Sequence, residues 1–323
     1  MRSLALPADD RQPPFRHVAI IGPGAIGSVF AVRLALLKGG PRVTLVDYRP
    51  DRAARLSGRP IVLHTPQGDL AAAVPVRLVP DGPVDLVILA TKAPAARAAA
   101  EAARAWRGDA PVLVIQNGLG AAEEVADALP RAAVITGVSY QAAHRAAEGE
   151  VHHVANLETY LGYPGRGPDA AVLRVAALLS AAGLPARAEA DLASLAWSKL
   201  LVNAALNPVA ALAGVANGQV ASRPSLRAMA EAIALEGQAV ARAVGVALAF
   251  PDAAAAALTT ARKTAANRCS MLQDLEAGRT TEIEYLNGAL VRLAERHGVA
   301  VPANRAVATL IRQVSPGPRG AAT

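Results

Sequence analysis

One short segment limits what this chain can fold into. Gly22-Pro-Gly-Ala-Ile-Gly27 follows the apolar run His17-Val-Ala-Ile-Ile21 and precedes a helical pattern from Ser28 to Leu37, closed by Gly39-Gly40. A strand, a glycine turn and a helix in that order open a βαβ unit. Gly22 permits the tight turn, Gly24 lets backbone approach a pyrophosphate, and Gly27 allows the helix to pack close to the strand. Pro23, Ala25 and Ile26 complete the turn. The first helical N–H groups and the helix dipole would hold the anion.

Val43-Thr-Leu-Val46 reads as the next strand, and Asp47 ends it, twenty residues after Gly27. That is the spacing of a carboxylate that grips the adenosine ribose. The plainer alternative is a glycine-bearing loop with a local capping Asp. An Asp suits two ribose hydroxyls and repels a 2′-phosphate, so Asp47 leans towards NAD(H). Arg49 and Arg52 would serve a 2′-phosphate, as in NADP(H), if the loop turns them inward; otherwise they start a solvated helix.

Further apolar runs follow at Val84–Leu89 and Val112–Ile115, with a hairpin expected over Ile61–Val76 around Pro66-Gln67-Gly68. Strands alternating with helical stretches predict an α/β fold: an N-terminal Rossmann-type doubly wound parallel sheet. Ligands of such sheets bind beyond the carboxyl ends of the strands. Thr91-Lys92 and Gln116-Asn117-Gly118 fall there. Lys92 could neutralise a cofactor phosphate, and Asn117 can donate and accept at once; each is otherwise an ordinary loop starter.

After about Ala190 the strand-like runs stop and Ala/Leu-rich helical segments take over. Ile283, Leu286, Leu290, Leu293 and His297 recur at helical spacing, and Gly298 is placed to cap that helix. The expected organisation is a flexible extension at 1–16, a dinucleotide-binding domain at 17–189, an all-helical substrate and catalytic domain at 190–314, and a flexible Pro/Gly-rich tail at 315–323.

Composition narrows the class. Hydrophobic residues make up 53% and aromatics 3%, so the core must be built from Ala, Val, Leu and Ile. The net charge of +7 rests on 33 basic residues, of which only Lys38, Lys92, Lys199 and Lys263 are lysine. The arginines are scattered and lack interleaved aromatics, which argues against nucleic acid. The uncharged run Leu200–Ser222 contains Asn203, Asn207, Pro208, Asn217 and Gln219, which are costly in lipid, so no membrane partner is expected. A single cysteine, Cys269, suits a reducing cytoplasm.

The stretch Leu192 to Asn207 carries one charge, Lys199, with Asn203 and Asn207 at i+4 and i+8 on the same helical face. Pro208 then predicts that the helix kinks or ends. A lysine among apolar neighbours loses hydration, its pKa falls, and it becomes suited to proton transfer. The alternative is a snorkelling Lys with two solvated amides, but a solvated face normally carries more charge. A second cluster, Asn267-Arg-Cys-Ser-Met-Leu-Gln-Asp274 with Thr281-Glu282, places Ser270 and Asp274 four residues apart. Spacing leaves open whether these are a site or a solvated helix face, and Glu282 a helix-dipole charge.

Taken together the motifs resemble the ketopantoate reductases (2-dehydropantoate 2-reductases). The resemblance runs from about His17 to Arg312. It rests on GPGAIG at Gly22–Gly27, Thr91-Lys92, Gln116–Gly118, Ala142-Ala143, WSKLLVNAALN over Trp197–Asn207, Asn217-Gly218, and NRCSMLQD with TEIEYLNG from Asn267. It implies a hydride-transfer enzyme with Lys199 as general acid. It assigns Asn117, Asn203, Asn207, Asn217, Asn267 and Ser270 to the substrate. Gly22–Gly27, Asp47, Lys92, Asn117, Ala143 and Glu282 would lie along the cofactor. The family usually uses NADPH, with a basic residue just after the second strand; here Asp47-Tyr48 stand there. A histidine common before Ala142 is Gln141.

The expected reaction is NAD(P)H-dependent reduction of a small 2-oxo acid, with 2-dehydropantoate foremost. The alternatives are a related dehydrogenase acting on another 2-oxo or hydroxy acid, and a non-catalytic dinucleotide-binding sensor. No metal is expected, and a second copy of the chain in a homodimer is the expected macromolecular partner.

Overall fold

The structure is a computed structural model, and it describes residues 15–316. Most of the expected extension and tail lies outside the described residues. At their inner ends, Phe15 packs against the core of the sheet unit, and Ser315 Oγ lies 3.2 Å from Thr281 Oγ1. The chain divides into two compact units. One comprises the residues up to Gln116 together with Ala121–Leu192; the other comprises Asn117–Gly120 and the chain from Ala193 onward.

The first unit holds twelve strands among the described residues. In chain order they are β1 (His17–Ile21), β2 (Arg42–Val46), β3 (Pro60–Thr65), β4 (Gly68–Ala73), β5 (Val76–Arg77) and β6 (Leu86–Leu89). Then come β7 (Val112–Val114), β8 (Val134–Ser139), β9 (Ala142–Ala147), β10 (Glu150–Ala155), β11 (Thr159–Gly162) and β12 (Ala186–Ala188). Eight form one sheet in the order β12-β11-β8-β7-β6-β1-β2-β5. The six strands from β8 to β5 are parallel, while β11 runs antiparallel to β8. The order reverses between β1 and β6, which makes the ends of those strands the topological switch point, where open α/β sheets bind their ligands. Strands β1, β6 and β7 are buried along their whole length, as strands covered on both faces must be.

The helices of this unit are α1 (Ala25–Ala35), α2 (Pro50–Leu56), α3 (Ala96–Ala103), α4 (Ala121–Ala128) and α5 (Ala170–Ala181). Helix α1 begins three residues before the Ser28 start read from sequence, because Gly24 itself is its N-cap. The expected hairpin forms, with Thr65 paired to Gly68 across the turn. It joins a second sheet, ordered β4-β3-β10-β9, that sequence patterning does not foresee. Helix α1 contacts strands of both sheets, which explains why Val29, Phe30, Val32 and Leu34 are all buried on a helix with no polar face.

The second unit is helical: α6 (Leu192–Ala213), α7 (Asn217–Ser222), α8 (Pro224–Val244), α9 (Ala253–Lys263), α10 (Ser270–Glu276), α11 (Asn287–His297) and α12 (Pro302–Val314). Its core is Ala, Leu, Val and Ile from every helix, and small residues let the helices come close. A Cβ on Gly237 of α8 would lie 2.5 Å from a methyl of Leu201 in α6. Helix α6 is long and apolar enough to cross a membrane by composition, yet 61% of that stretch is buried in the protein. Gly298 caps α11 with φ of +68°, as its position predicts.

Of the two outcomes expected at Pro208, a kink or an end, the end does not occur; α6 continues through it to Ala213. A proline at this position removes the N–H that would bond the carbonyl of Ala204 and crowds that carbonyl with its ring, at a cost of about 3 kcal/mol. The carbonyl is not left bare. Asn287 Nδ2 donates to Ala204 O at 3.0 Å, which lets the helix run on.

Candidate functional site

In the sheet unit, the glycine turn lies at the switch point. Gly22 has φ of +108°, its N–H bonds Val46 O at 2.9 Å, and a Cβ there would lie 2.9 Å from the backbone nitrogen of Thr91. A side chain at Gly27 would sit 2.0 Å from Gly22 O. Both glycines are therefore demanded by packing of turn, helix and neighbouring strand. Gly24 differs: a Cβ would meet nothing within 4 Å. The space over Gly24 is open, and α1 starts there with no side-chain cap and no acidic residue in its first turn. Its leading N–H groups are arranged for an anion, so the turn fits a dinucleotide pyrophosphate.

Sequence reasoning misses one cation here. Arg145 of β9 donates to Pro23 O at 3.3 Å, which sets a guanidinium beside the turn. Only the unforeseen second sheet brings it there. Lys92 is exposed at the start of the short 3-10 turn after β6, and Ala143 is half-buried in β9. Gln116 ties the switch-point strands together by donating to Leu89 O at 3.0 Å and Thr91 O at 3.1 Å.

Asp47 is where spacing places it, but its carboxylate is otherwise engaged. The residue is 0% exposed. Arg52 grips it through two nitrogens, Nε to Oδ2 and Nη2 to Oδ1, the latter at 2.6 Å. Arg49 N–H adds a bond to Oδ1 at 3.1 Å. From sequence, Arg52 faces either a 2′-phosphate or solvent. Arg52 turns inward, and it pairs with the Asp47 carboxylate. Arg49 points outward to Asp51 at 2.7 Å.

In the helical unit, Lys199 sits on α6. Its Nζ donates to Asn117 Oδ1 at 2.8 Å, and Asn117 Nδ2 donates to Glu282 Oε2 at 3.4 Å. Asn117 reaches this place because the loop Asn117–Gly120 belongs to the helical unit. Leu119 packs on its core, and Leu119 N–H bonds Tyr285 O at 2.9 Å. Gly118 allows the approach. It has φ of +90°, and a Cβ would lie 2.1 Å from Tyr285 O. Burial pulls the Lys199 pKa down from 10.5 to about 8, with the Glu282 carboxylate acting in the opposite direction.

The remaining residues fall into place around α6. Asn203 and Asn207, four and eight residues after Lys199 on α6, share its face, both half-buried. The Cys269 thiol donates to Asn207 O at 3.5 Å and accepts from Leu272 N–H at 3.4 Å, which brings the start of α10, and exposed Ser270, to Asn207. Asn217 N–H bonds Asn267 O at 3.0 Å. The Asn217 side chain donates to Thr264 Oγ1 at 2.9 Å, while its Oδ1 is buried with no hydrogen-bond partner among the described residues. Asp274 is buried against Arg279 at 3.0 Å and so shares no solvated face with Ser270. Glu282 is buried and precedes a 3-10 turn, Ile283–Tyr285, rather than opening a helix.

A doubly wound sheet with an open glycine turn, and a helical unit with a half-buried amine of lowered pKa among amides, define a nicotinamide-dependent oxidoreductase. Comparison with known proteins agrees. The family model described as "Ketopantoate reductase PanE/ApbA" matches residues 18–166, and its C-terminal counterpart matches 191–315. A Halobacterium salinarum protein named 2-dehydropantoate 2-reductase is 34% identical over 301 residues, covering 92% of this chain and 98% of the relative. A crystal structure of a PanE/ApbA family ketopantoate reductase from Ralstonia eutropha matches with a TM-score of 0.83 and 31% identity, over 92% of this chain and 98% of that one. The ternary structure of D-mandelate dehydrogenase with NADH and anilino(oxo)acetate matches with a TM-score of 0.85 and 25% identity, over 92% and 97%. This chain belongs to the ketopantoate reductase family. It is an oxidoreductase whose cofactor is a nicotinamide dinucleotide and whose substrate is a small molecule.

The half-buried amine has a stability signature. Between pH 8 and 10.5 the unfolded chain holds a proton on Lys199 that the folded chain does not, so this group makes the native protein more stable as pH rises through that window. Lys199→Met removes the term while keeping the side chain's length. Measured as Tm against pH, the variant's Tm relative to the parent should be highest below pH 8 and fall towards pH 10.5. A difference that does not change with pH contradicts the lowered pKa.

Proposed function

We propose that this enzyme reduces 2-dehydropantoate to pantoate, with Lys199 as general acid. We assign the dinucleotide to residues 17–189 and the substrate to residues 190–314. The observation that carries this is the half-buried Lys199, whose Nζ lies 2.8 Å from Asn117 Oδ1, on the helix face that also presents Asn203 and Asn207.

When bound, the reduced nicotinamide supplies a hydride to the substrate's keto carbon. The oxygen on that carbon gains negative charge as the C=O bond becomes single. Lys199 holds a proton at Nζ, stabilises that oxygen and passes the proton to it, leaving a neutral amine. A pKa of about 8 suits both states: the amine is protonated near neutral pH and the neutral product is tolerated in a desolvated site. Asn117 orients Nζ through its carbonyl oxygen. Asn203 and Asn207, with Asn217, Asn267 and Ser270, offer neutral donors and acceptors to a carboxylate and hydroxyl-bearing substrate. The open space over Gly24, the leading N–H groups of α1, Lys92 and Ala143 would hold the dinucleotide.

A second reading keeps the chemistry and changes the acid. The D-mandelate dehydrogenase match supports reduction of another 2-oxo acid, with the hydroxy acid as product. A non-catalytic sensor has no use for a half-buried amine beside two amides. The test is NADH or NADPH oxidation with 2-dehydropantoate, alongside phenylglyoxylate and pyruvate, for the parent and Lys199→Ala. We expect 2-dehydropantoate to give the highest kcat/KM. Lys199→Ala should lower kcat about 10²-fold or more, the usual scale for general-acid catalysis. Faster reduction of phenylglyoxylate favours the second reading, and normal turnover without Lys199 sinks the assignment.

For the cofactor we propose near parity. The Asp47–Arg52 pair neither repels a 2′-phosphate nor offers it a free guanidinium. NADH and NADPH should therefore differ in kcat/KM by less than about tenfold, or 1.4 kcal/mol. Asp47→Ser releases Arg52 and should shift the preference towards NADPH. An unchanged ratio in that variant removes Arg52 from the choice.

A further inference from the structure

Pro208 stands inside α6, one residue past Asn207 and nine past Lys199. The carbonyl it strands, Ala204 O, is bonded by Asn287 Nδ2 at 3.0 Å. Asn287 is the first residue of α11 and is 0% exposed. The same nitrogen donates to Asn304 Oδ1 at 3.0 Å. Asn304, also 0% exposed, donates through Nδ2 to Ile233 O at 3.1 Å and to Glu236 Oε2 at 2.8 Å. Glu236 in turn accepts the backbone N–H groups of Ala303 and Asn304 at the start of α12.

The orientation of both amides is forced. Ala204 O, Ile233 O and the Glu236 carboxylate can only accept, so each amide must turn its nitrogen towards them. That leaves Asn304 Oδ1 facing Asn287 Nδ2. The relay has one polarity and one geometry. It anchors the point at which a proline would otherwise leave α6 free to bend, and two packed helices, α8 and α12, hold its far end.

The same short segment makes the other contacts around Lys199. Glu282 accepts from Asn117, Tyr285 O accepts from Leu119 N–H, and Asn287 donates to Ala204 O. Within six residues, the chain holds both the loop that receives the Lys199 amine and the helix that carries it. We propose that Asn287 is a positioning residue: by capping the carbonyl freed by Pro208, it sets the direction of the α6 segment bearing Lys199 and Asn203 relative to Asn117. This rests on the assignment of Lys199 to proton transfer. Asn287 itself touches no reacting atom.

The expected consequences separate positioning from general stability. A misplacement of about 1 Å can cost on the order of 10²-fold in rate. Asn287→Ala, and Asn287→Ser in case the first folds poorly, should lower kcat/KM for the 2-oxo acid by about tenfold or more. The Kd for NADPH, read by fluorescence titration, should stay within about twofold, since the glycine turn is untouched. Pro208→Ala supplies the cross-check. It returns an N–H to Ala204 O, so in that background Asn287→Ala should cost less than about threefold in kcat/KM. Three results overturn the inference: a lowered Tm with unchanged kcat/KM, an equal loss of kcat/KM with and without Pro208, or a loss of NADPH binding as large as the loss of turnover. Lys199→Ala is assayed alongside. Normal turnover in that variant overturns the site assignment itself, whereas an inactive Lys199→Ala with a fully active Asn287→Ala overturns only the positioning role.

Discussion

An ammonium taken out of water must find compensation, and much of the helical unit is arranged around that need. Lys199 is the one charge in α6, a helix of 22 residues otherwise built from apolar and neutral side chains. Loss of hydration lowers its pKa to about 8, so the amine still carries its proton near neutral pH but gives it up more readily than a lysine in water. The direct compensation is the carbonyl dipole of Asn117, and behind it the Glu282 carboxylate. Asn117 can serve only if its loop leaves the sheet unit and docks on helical backbone. Gly118, with no room for a side chain against Tyr285 O, is the residue that permits this. The amine, the loop glycine and the segment from Glu282 to Asn287 therefore depend on one another.

The sheet unit answers a different constraint. Parallel strands buried on both faces leave polar chemistry nowhere to go except the strand ends. The glycine turn occupies the switch point, and packing explains two of its three glycines while open space explains the third. Asp47 shows how a strand-end group can be present yet committed. A carboxylate with no exposure needs a partner, and Arg52 supplies a two-pronged one. The end of β2 thereby presents a neutral pair rather than a lone acid.

Much of this is legible in the order of residues alone. The strand, turn and helix around Gly22–Gly27, the hairpin at Pro66-Gln67, the change of texture near Ala190 and the cap at Gly298 all follow from local residue patterns. So does the isolation of Lys199. What local pattern cannot carry is pairing over distance. Strand β9 reads AAHRAA, which looks like neither a buried nor an amphipathic strand. It pairs with β10, which in turn pairs in parallel with β3, far earlier in the chain, and the second sheet so formed delivers Arg145 to the turn. Pro208 is ambiguous for the same reason. Its local meaning is a kink or a helix end, and the group that bonds the carbonyl it frees, Asn287, is distant in sequence. Asp47 does follow the last residue of β2, but spacing says nothing about which side chain occupies a carboxylate.

The central claim is that the half-buried amine of Lys199, with its lowered pKa, gives the proton to the reduced substrate. The most direct measurement is kcat/KM for the 2-oxo acid against pH, from 6 to 10, at saturating reduced cofactor. The account predicts a plateau that bends down near pH 8 and falls tenfold per pH unit above it, as one proton is lost from Lys199. The bend should be absent from the residual activity of a Lys199→Ala variant. A flat profile to pH 10, or an alkaline decline that survives removal of Lys199, would contradict it.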